Sequence, residues 1–163
     1  MPWRGEVQVL RDLFEAVQKG GFDSRVELAL RRFESSCYKH EPEDRLLDYW
    51  IALEALFLPG QGSEMAHLGP LRIALYLDSA LPSRTSLFRR MRTSYSARSG
   101  IVHGELGPKL RTDLPNLESD TEAALRLALQ RTVLAGHAPS QAELETLDLK
   151  VAESARAPDQ RET

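Results

Sequence analysis

The stretch from Pro42 to Pro59 constrains the fold more than any other part of the chain. Pro42 followed by Glu43 and Asp44 has the composition of a helix first turn. Proline's missing N–H is not needed there, and acids face the positive end of the helix dipole. From Tyr49 to Leu58 the same helix is apolar on nearly every side, with Glu54 its single charge. A helix without a polar face needs neighbours all round it, so the pattern predicts an all-α bundle with this helix at its centre. Burying an unpaired carboxylate is costly, so Glu54 requires a basic partner, and Arg98 and Arg72 are the candidates.

The rest of the chain supplies those neighbours. Glu6 to Lys19 sets Val9, Leu10, Leu13, Phe14 and Val17 at helical spacing and stops at Gly20-Gly21. Asp23 or Ser24 caps a second helix whose Val26, Leu28, Leu30 and Phe33 provide apolar contacts and which ends near Tyr38. After the turn Gly60-Gln61-Gly62, Ser63 caps a helix with Met65, Leu68, Leu71 and Leu75 on one stripe. Gly69-Pro70 predicts a kink or two abutting helices within it, because proline lacks a donor and clashes with the preceding turn. Pro82 or Ser83 starts the next helix, in which Leu87, Met91, Tyr95, Arg98 and Val102 recur at three- and four-residue steps. Gly104 and Gly107-Pro108 read as a loop, Leu117 to Ala135 as a helix closed by Gly136, and Pro139 to Glu153 as a last one. No segment alternates apolar and polar residues for long enough to suggest a strand. Residues 1–154 are expected to form one helical domain and 155–163 a disordered tail.

At 163 residues and 42% hydrophobic, the chain has the material for one domain with a sizeable core. A net charge of −3 and a pI of 5.8 argue against a general nucleic-acid coat. The charge is nevertheless uneven. Between Arg84 and Arg111 lie Arg89, Arg90, Arg92, Arg98 and Lys109, with Glu105 the only acid. Such a belt suits a phosphate-rich ligand, with Arg89, Arg90 and Arg92 as candidate RNA contacts; the alternative is a solvated helix face balanced by the acids after Asp113. The single cysteine, Cys37, excludes an internal disulfide, there is no basic-then-apolar leader, and the longest apolar run is too short to cross a bilayer. A soluble, cytoplasmic protein with no membrane partner is the expectation.

Inside the belt, Arg98 and His103 stand five residues apart near a helix end. Arginine stays charged and grips phosphate oxygens with a planar fork, whereas histidine exchanges a proton near neutral pH. Together they suit cleavage of a phosphodiester beside a ribose 2′-hydroxyl without a metal. On an ideal helix the two side chains diverge by about 140° and lie about 7.5 Å apart along the axis, so one straight helix does not aim both at one atom. Gly100 and Gly104 can loosen the helix end, and a two-fold axis can set each pair against its copy; we expect both. Other constellations are incomplete. Cys37-x-x-His40 lacks a second zinc-binding pair, Glu64-x-x-His67 lacks the second half of a di-iron site, and Gly60-Gln61-Gly62 lacks a P-loop's lysine and strand. No cofactor or metal is expected.

Three stretches, Leu53-Glu54-Ala55-Leu56-Phe57, Leu71-Arg72-Ile73-Ala74-Leu75 and Arg98 to His103 followed by Gly104, together resemble HEPN domains, particularly the ApeA-like branch associated with abortive phage infection. The resemblance covers roughly residues 42–136. It implies a bundle that forms a homodimer, with the arginine-histidine pairs of two protomers meeting in an interfacial cleft. Many such domains are metal-independent endoribonucleases; others are non-catalytic dimerisation or RNA-binding modules. By this resemblance Arg98 and His103 are catalytic, and Ser99, Glu54, Arg72 and Tyr95 support them. Glu54 either orients Arg98 or forms a structural ion pair, Arg72 can be purely structural, and Tyr95 either stacks on a base or packs in the core. The chain departs from the family at Ser99, where asparagine, aspartate or histidine is common. It departs again at Glu105, where HEPN toxins neutralised by a nucleotidyltransferase partner carry tyrosine. A helical partner for another protein is a third reading, and no feature specifies a regulatory protein partner.

Overall fold

In the computed structural model, which describes residues 3–60, 65–78 and 80–147, seven helices and no strand make up the described residues. They are α1 (Trp3–Lys19), α2 (Ser24–Ser36), α3 (Pro42–Phe57), α4 (Met65–Leu77), α5 (Leu81–His103), α6 (Pro108–Ala135) and α7 (141–147). The expected tail, the Ser63 cap and the end of the last predicted helix lie outside the described residues.

α3 is the central helix, as its all-round apolar surface requires. It packs against α2, α4, α5 and α6, and buries Leu46, Tyr49, Trp50, Leu53, Leu56 and Phe57. Facing them are Ile73 and Leu77 from α4, Met91 and Tyr95 from α5, and Leu117, Leu125 and Leu129 from α6. Each such side chain contributes about 1.5–3 kcal/mol on leaving water, and this burial rather than helix propensity holds the bundle together. A polar chain crosses the core at one level. The Trp50 indole N–H donates to Ser94 Oγ at 2.9 Å, Ser94 and Thr121 share a hydroxyl hydrogen bond of 2.5 Å, and Thr121 also bonds the Leu117 carbonyl at 2.6 Å. With its polar groups partnered, the chain ties α3, α5 and α6 in one register.

Two elements differ from the sequence expectation. α4 passes through Gly69-Pro70 as one helix rather than two abutting ones, and its buried face is Ile73, Ala74 and Leu77, while Leu68, Leu71 and Leu75 are only half-buried. α6 begins at Pro108, well before the expected Leu117. Pro108 occupies the first turn, where its missing donor is immaterial. Pro115 lies inside the helix but is exposed, so it forfeits one backbone hydrogen bond, while Leu114 and Leu117 beside it are buried.

Asp23 caps α2, accepting from the N–H groups of Arg25 (2.9 Å) and Val26 (3.0 Å), and its second oxygen takes the Ala138 N–H at 2.9 Å. The Arg25 guanidinium donates to the carbonyls of Pro139 at 2.8 Å, Ala138 at 3.3 Å and Leu56 at 3.4 Å. This latch ties the α6–α7 connection to the start of α2 and the end of α3.

Candidate functional site

The end of α5 decides how Arg98 and His103 are placed. Gly104 takes a left-handed conformation (φ +70°), and the Glu105 N–H bonds the Gly100 carbonyl at 2.7 Å while the Gly104 N–H bonds Ile101 at 3.2 Å. This is a Schellman ending, which terminates a helix cleanly. Gly100 stays helical, contrary to the expected loosening. Its lack of a side chain serves a close approach instead: a Cβ there would lie 3.2 Å from the Leu106 Cα as the chain folds back over the helix. The helix is therefore regular through both residues, and the divergence of about 140° stands.

Arg98 is consequently turned inward and His103 outward. The Arg98 side chain is 21% exposed and meets Glu54, itself 17% exposed, on the central helix. Its Nη2 donates to Glu54 Oε2 at 3.3 Å and lies 3.1 Å from Oε1, the latter an electrostatic contact without hydrogen-bond geometry. Arg98 Nε is buried with no hydrogen-bond partner among the described residues. Of the two partners the sequence allowed for Glu54, Arg98 is the one adopted. Burial pushes the Glu54 carboxyl above its ordinary range, and the charge and hydrogen bond of Arg98 oppose this without cancelling it.

The remaining supporting residues divide by role. Tyr95 is buried, packs edge-on against Trp50 with ring centres 4.9 Å apart, and lies beneath the Arg98 guanidinium at 5.6 Å. It is a core residue that also walls in Arg98. Arg72 is 2% exposed and donates to the Phe57 carbonyl at 2.9 Å, satisfying the end of α3. Ser99 is half-buried one turn before His103, between the inward and outward faces of α5.

The basic belt separates once folded. Arg90 pairs with Asp120 at 3.0 Å, Arg111 with Glu43 at 3.4 Å and Arg98 with Glu54, and Arg84 donates to the Asp78 carbonyl at 2.9 Å. Arg89 and Arg92 are exposed and have no ion-pair partner among the described residues. They line an open groove of about 470 Å³ with Thr93, Ser96 and Leu110. Sequence reasoning passed over Thr93 and Ser96, although the seven-residue step from Arg89 through Ser96 to His103 places all three on one face. Among the described residues no group of three or more histidine, cysteine, aspartate or glutamate side chains is placed to hold a metal ion, and no helix is long and apolar enough to cross a membrane.

No family model, curated protein or solved structure matches the chain.

Proposed function

We propose that this protein is a HEPN-type, ApeA-like endoribonuclease that cleaves RNA without a metal, acting as a cytoplasmic homodimer in phage defence or stress. The observation that carries this reading is the placing of Arg98: a guanidinium held by Glu54 and Tyr95 and still 21% exposed, on the helix that ends at an exposed His103. A guanidinium so held keeps a planar fork of donors, and that fork fits phosphate oxygens.

The chemistry follows from those two groups. The neutral His103 imidazole takes the proton of a ribose 2′-hydroxyl, and the 2′-oxygen attacks the adjacent phosphorus. Arg98 stabilises the negative charge that builds on the phosphoryl oxygens. The bond to the 5′-oxygen breaks, that oxygen takes a proton from water, the His103 imidazolium returns its proton to the solvent, and the products are a 2′,3′-cyclic phosphate and a free 5′-hydroxyl. Because Arg98 and His103 diverge around one helix, the pair acts across two protomers, Arg98 of one facing His103 of the other. Val102 is 53% exposed on the stripe that carries Arg98, so this stripe leaves the bundle core beside His103, where a second copy would sit.

A non-catalytic HEPN module that dimerises or binds RNA is the second reading, and the Glu54 contact also favours it, since it occupies Arg98 in a structural ion pair. Incubating the protein with structured RNA in EDTA separates the two. Cleavage that falls by about 10²–10⁴ in His103→Ala, and is lost in Arg98→Ala, supports the nuclease. Binding without cleavage supports the module, and undiminished cleavage by both variants excludes the assignment of these residues.

A further inference from the structure

The outward face of α5 carries a second set of groups that the arginine-histidine pair does not use. By helix geometry Arg89, Arg92, Thr93, Ser96 and His103 fall within an arc of about 100°, opposite Arg98, along about 21 Å of axis. The first four, with Leu110 of α6, line the 470 Å³ groove, whose size lies within the range of roughly 300–1,000 Å³ typical of ligand clefts. The two arginines are free to bind anions, having no ion-pair partner among the described residues.

The hydroxyls are committed in a way that defines what they accept. Thr93 Oγ1 donates to the Arg89 carbonyl at 3.0 Å, and Ser96 Oγ donates to the Arg92 carbonyl at 3.1 Å. With their protons directed back into the helix, both oxygens present lone pairs to the groove. The groove therefore sets two cations and, further along the helix toward His103, two hydrogen-bond acceptors. A ligand that fits offers anions to the two arginines and neutral hydroxyl donors to the two hydroxyl oxygens beyond them. The ribose-phosphate backbone does so, with its phosphates and 2′-hydroxyls; a deoxyribose backbone offers the phosphates alone.

We infer that this groove binds the backbone of single-stranded RNA, with phosphates on Arg89 and Arg92 and ribose 2′-hydroxyls donating to Thr93 and Ser96, and that it leads the strand toward His103. The inference rests on the proposed RNA-cleaving function and adds a positioning and selectivity role outside the catalytic pair. Arg90, bonded to Asp120, takes no part.

Binding of a short single-stranded RNA and of DNA of the same sequence, measured in EDTA with the His103→Ala protein so that the RNA stays intact, tests this directly. The groove side chains are exposed, so their substitution leaves the fold in place, as thermal melting checks. Arg89→Ala/Arg92→Ala is expected to weaken both polymers by at least about tenfold and to flatten the salt dependence by about 1.4 in log–log slope, the loss of two phosphate contacts. Ser96→Ala, and separately Thr93→Val, is expected to weaken RNA alone by about fivefold, the equivalent of one hydrogen bond. Unchanged RNA affinity in the double arginine variant, or an equal loss for RNA and DNA in both hydroxyl variants, overturns the inference. Poly-glutamate competing as well as the RNA would reassign the groove to acidic peptides and overturns it too. Failure of the nuclease reading is seen separately, as wild-type protein that binds RNA through the groove yet does not cut it.

Discussion

Removing Glu54 and Arg98 singly and together measures how firmly the candidate catalytic arginine is held. At the observed 3.1 Å and an effective dielectric of about 20, the gross attraction is about 5 kcal/mol. Burial opposes it, and the Glu54 carboxyl remains above its ordinary range despite the nearby cation. The pair as a whole therefore adds little stability, yet losing one member strands the other. For a fully buried pair that costs about 3–5 kcal/mol; with 21% and 17% exposure each remaining side chain can reach water, and we expect about 2 kcal/mol for Glu54→Ala or Arg98→Ala alone. The double variant strands neither charge and should cost about 1 kcal/mol, from lost packing, rather than about 4, a coupling of about 3 kcal/mol in urea unfolding. The effect has a definite pH dependence. A carboxyl whose folded pKa is raised contributes fully below its unfolded value and loses that contribution as pH rises through the folded one. Without Arg98 the folded value rises further, so the penalty of Arg98→Ala should be larger at about pH 7 than at about pH 4. Additivity within about 0.3 kcal/mol, or a penalty that shrinks with rising pH, would refute this account of the pair.

Other consequences concern the scaffold. Burial raises the Asp23 carboxyl, but the N–H groups of Val26, Ala138 and Arg25 outweigh it and hold the group below its ordinary range. Asp23→Ala should cost about 2 kcal/mol, and the gap to wild type should be full above the ordinary aspartate range and close as pH falls through the depressed value, as acid titration of stability would show. Gly104→Ala forces a side chain into the left-handed position at φ +70° and should cost about 1 kcal/mol in thermal or urea unfolding. Leu125→Ala, at a fully buried position of α6, should cost about 2–5 kcal/mol, and a loss under about 1 kcal/mol would contradict the described core.

The helical architecture was legible because its strongest signals were local and mutually consistent. Pro42 with Glu43 and Asp44 fixes the start of α3, Gly104 and Gly136 fix the ends of α5 and α6, and the apolar surface from Tyr49 to Leu58 identifies the central helix. The start of α6 was hidden because Gly107-Pro108 reads as a loop, whereas Pro108 lies in the first turn and Pro115, inside the helix, faces solvent. At the site, the need of a buried carboxylate for a cation left Arg98 and Arg72 as candidates, and Arg98 is the one that pairs with Glu54. What sequence did not reveal was the division of the basic belt, since whether Arg90 meets Asp120 while Arg89 meets no acid among the described residues depends on how α5 rotates against α6. Thr93 and Ser96 carried no composition signal at all; only their four- and seven-residue relation to Arg89 places them in the groove.

The central claim is a site shared by two copies, and mixing two inactive variants tests it most directly. Arg98→Ala and His103→Ala proteins are each expected to leave RNA uncut in EDTA. Co-refolded in equal amounts, half of the dimers should be mixed, each with one intact Arg98–His103 pair, restoring about a quarter of wild-type cleavage. A mixture as inactive as its components, alongside an active wild type, would contradict the shared site.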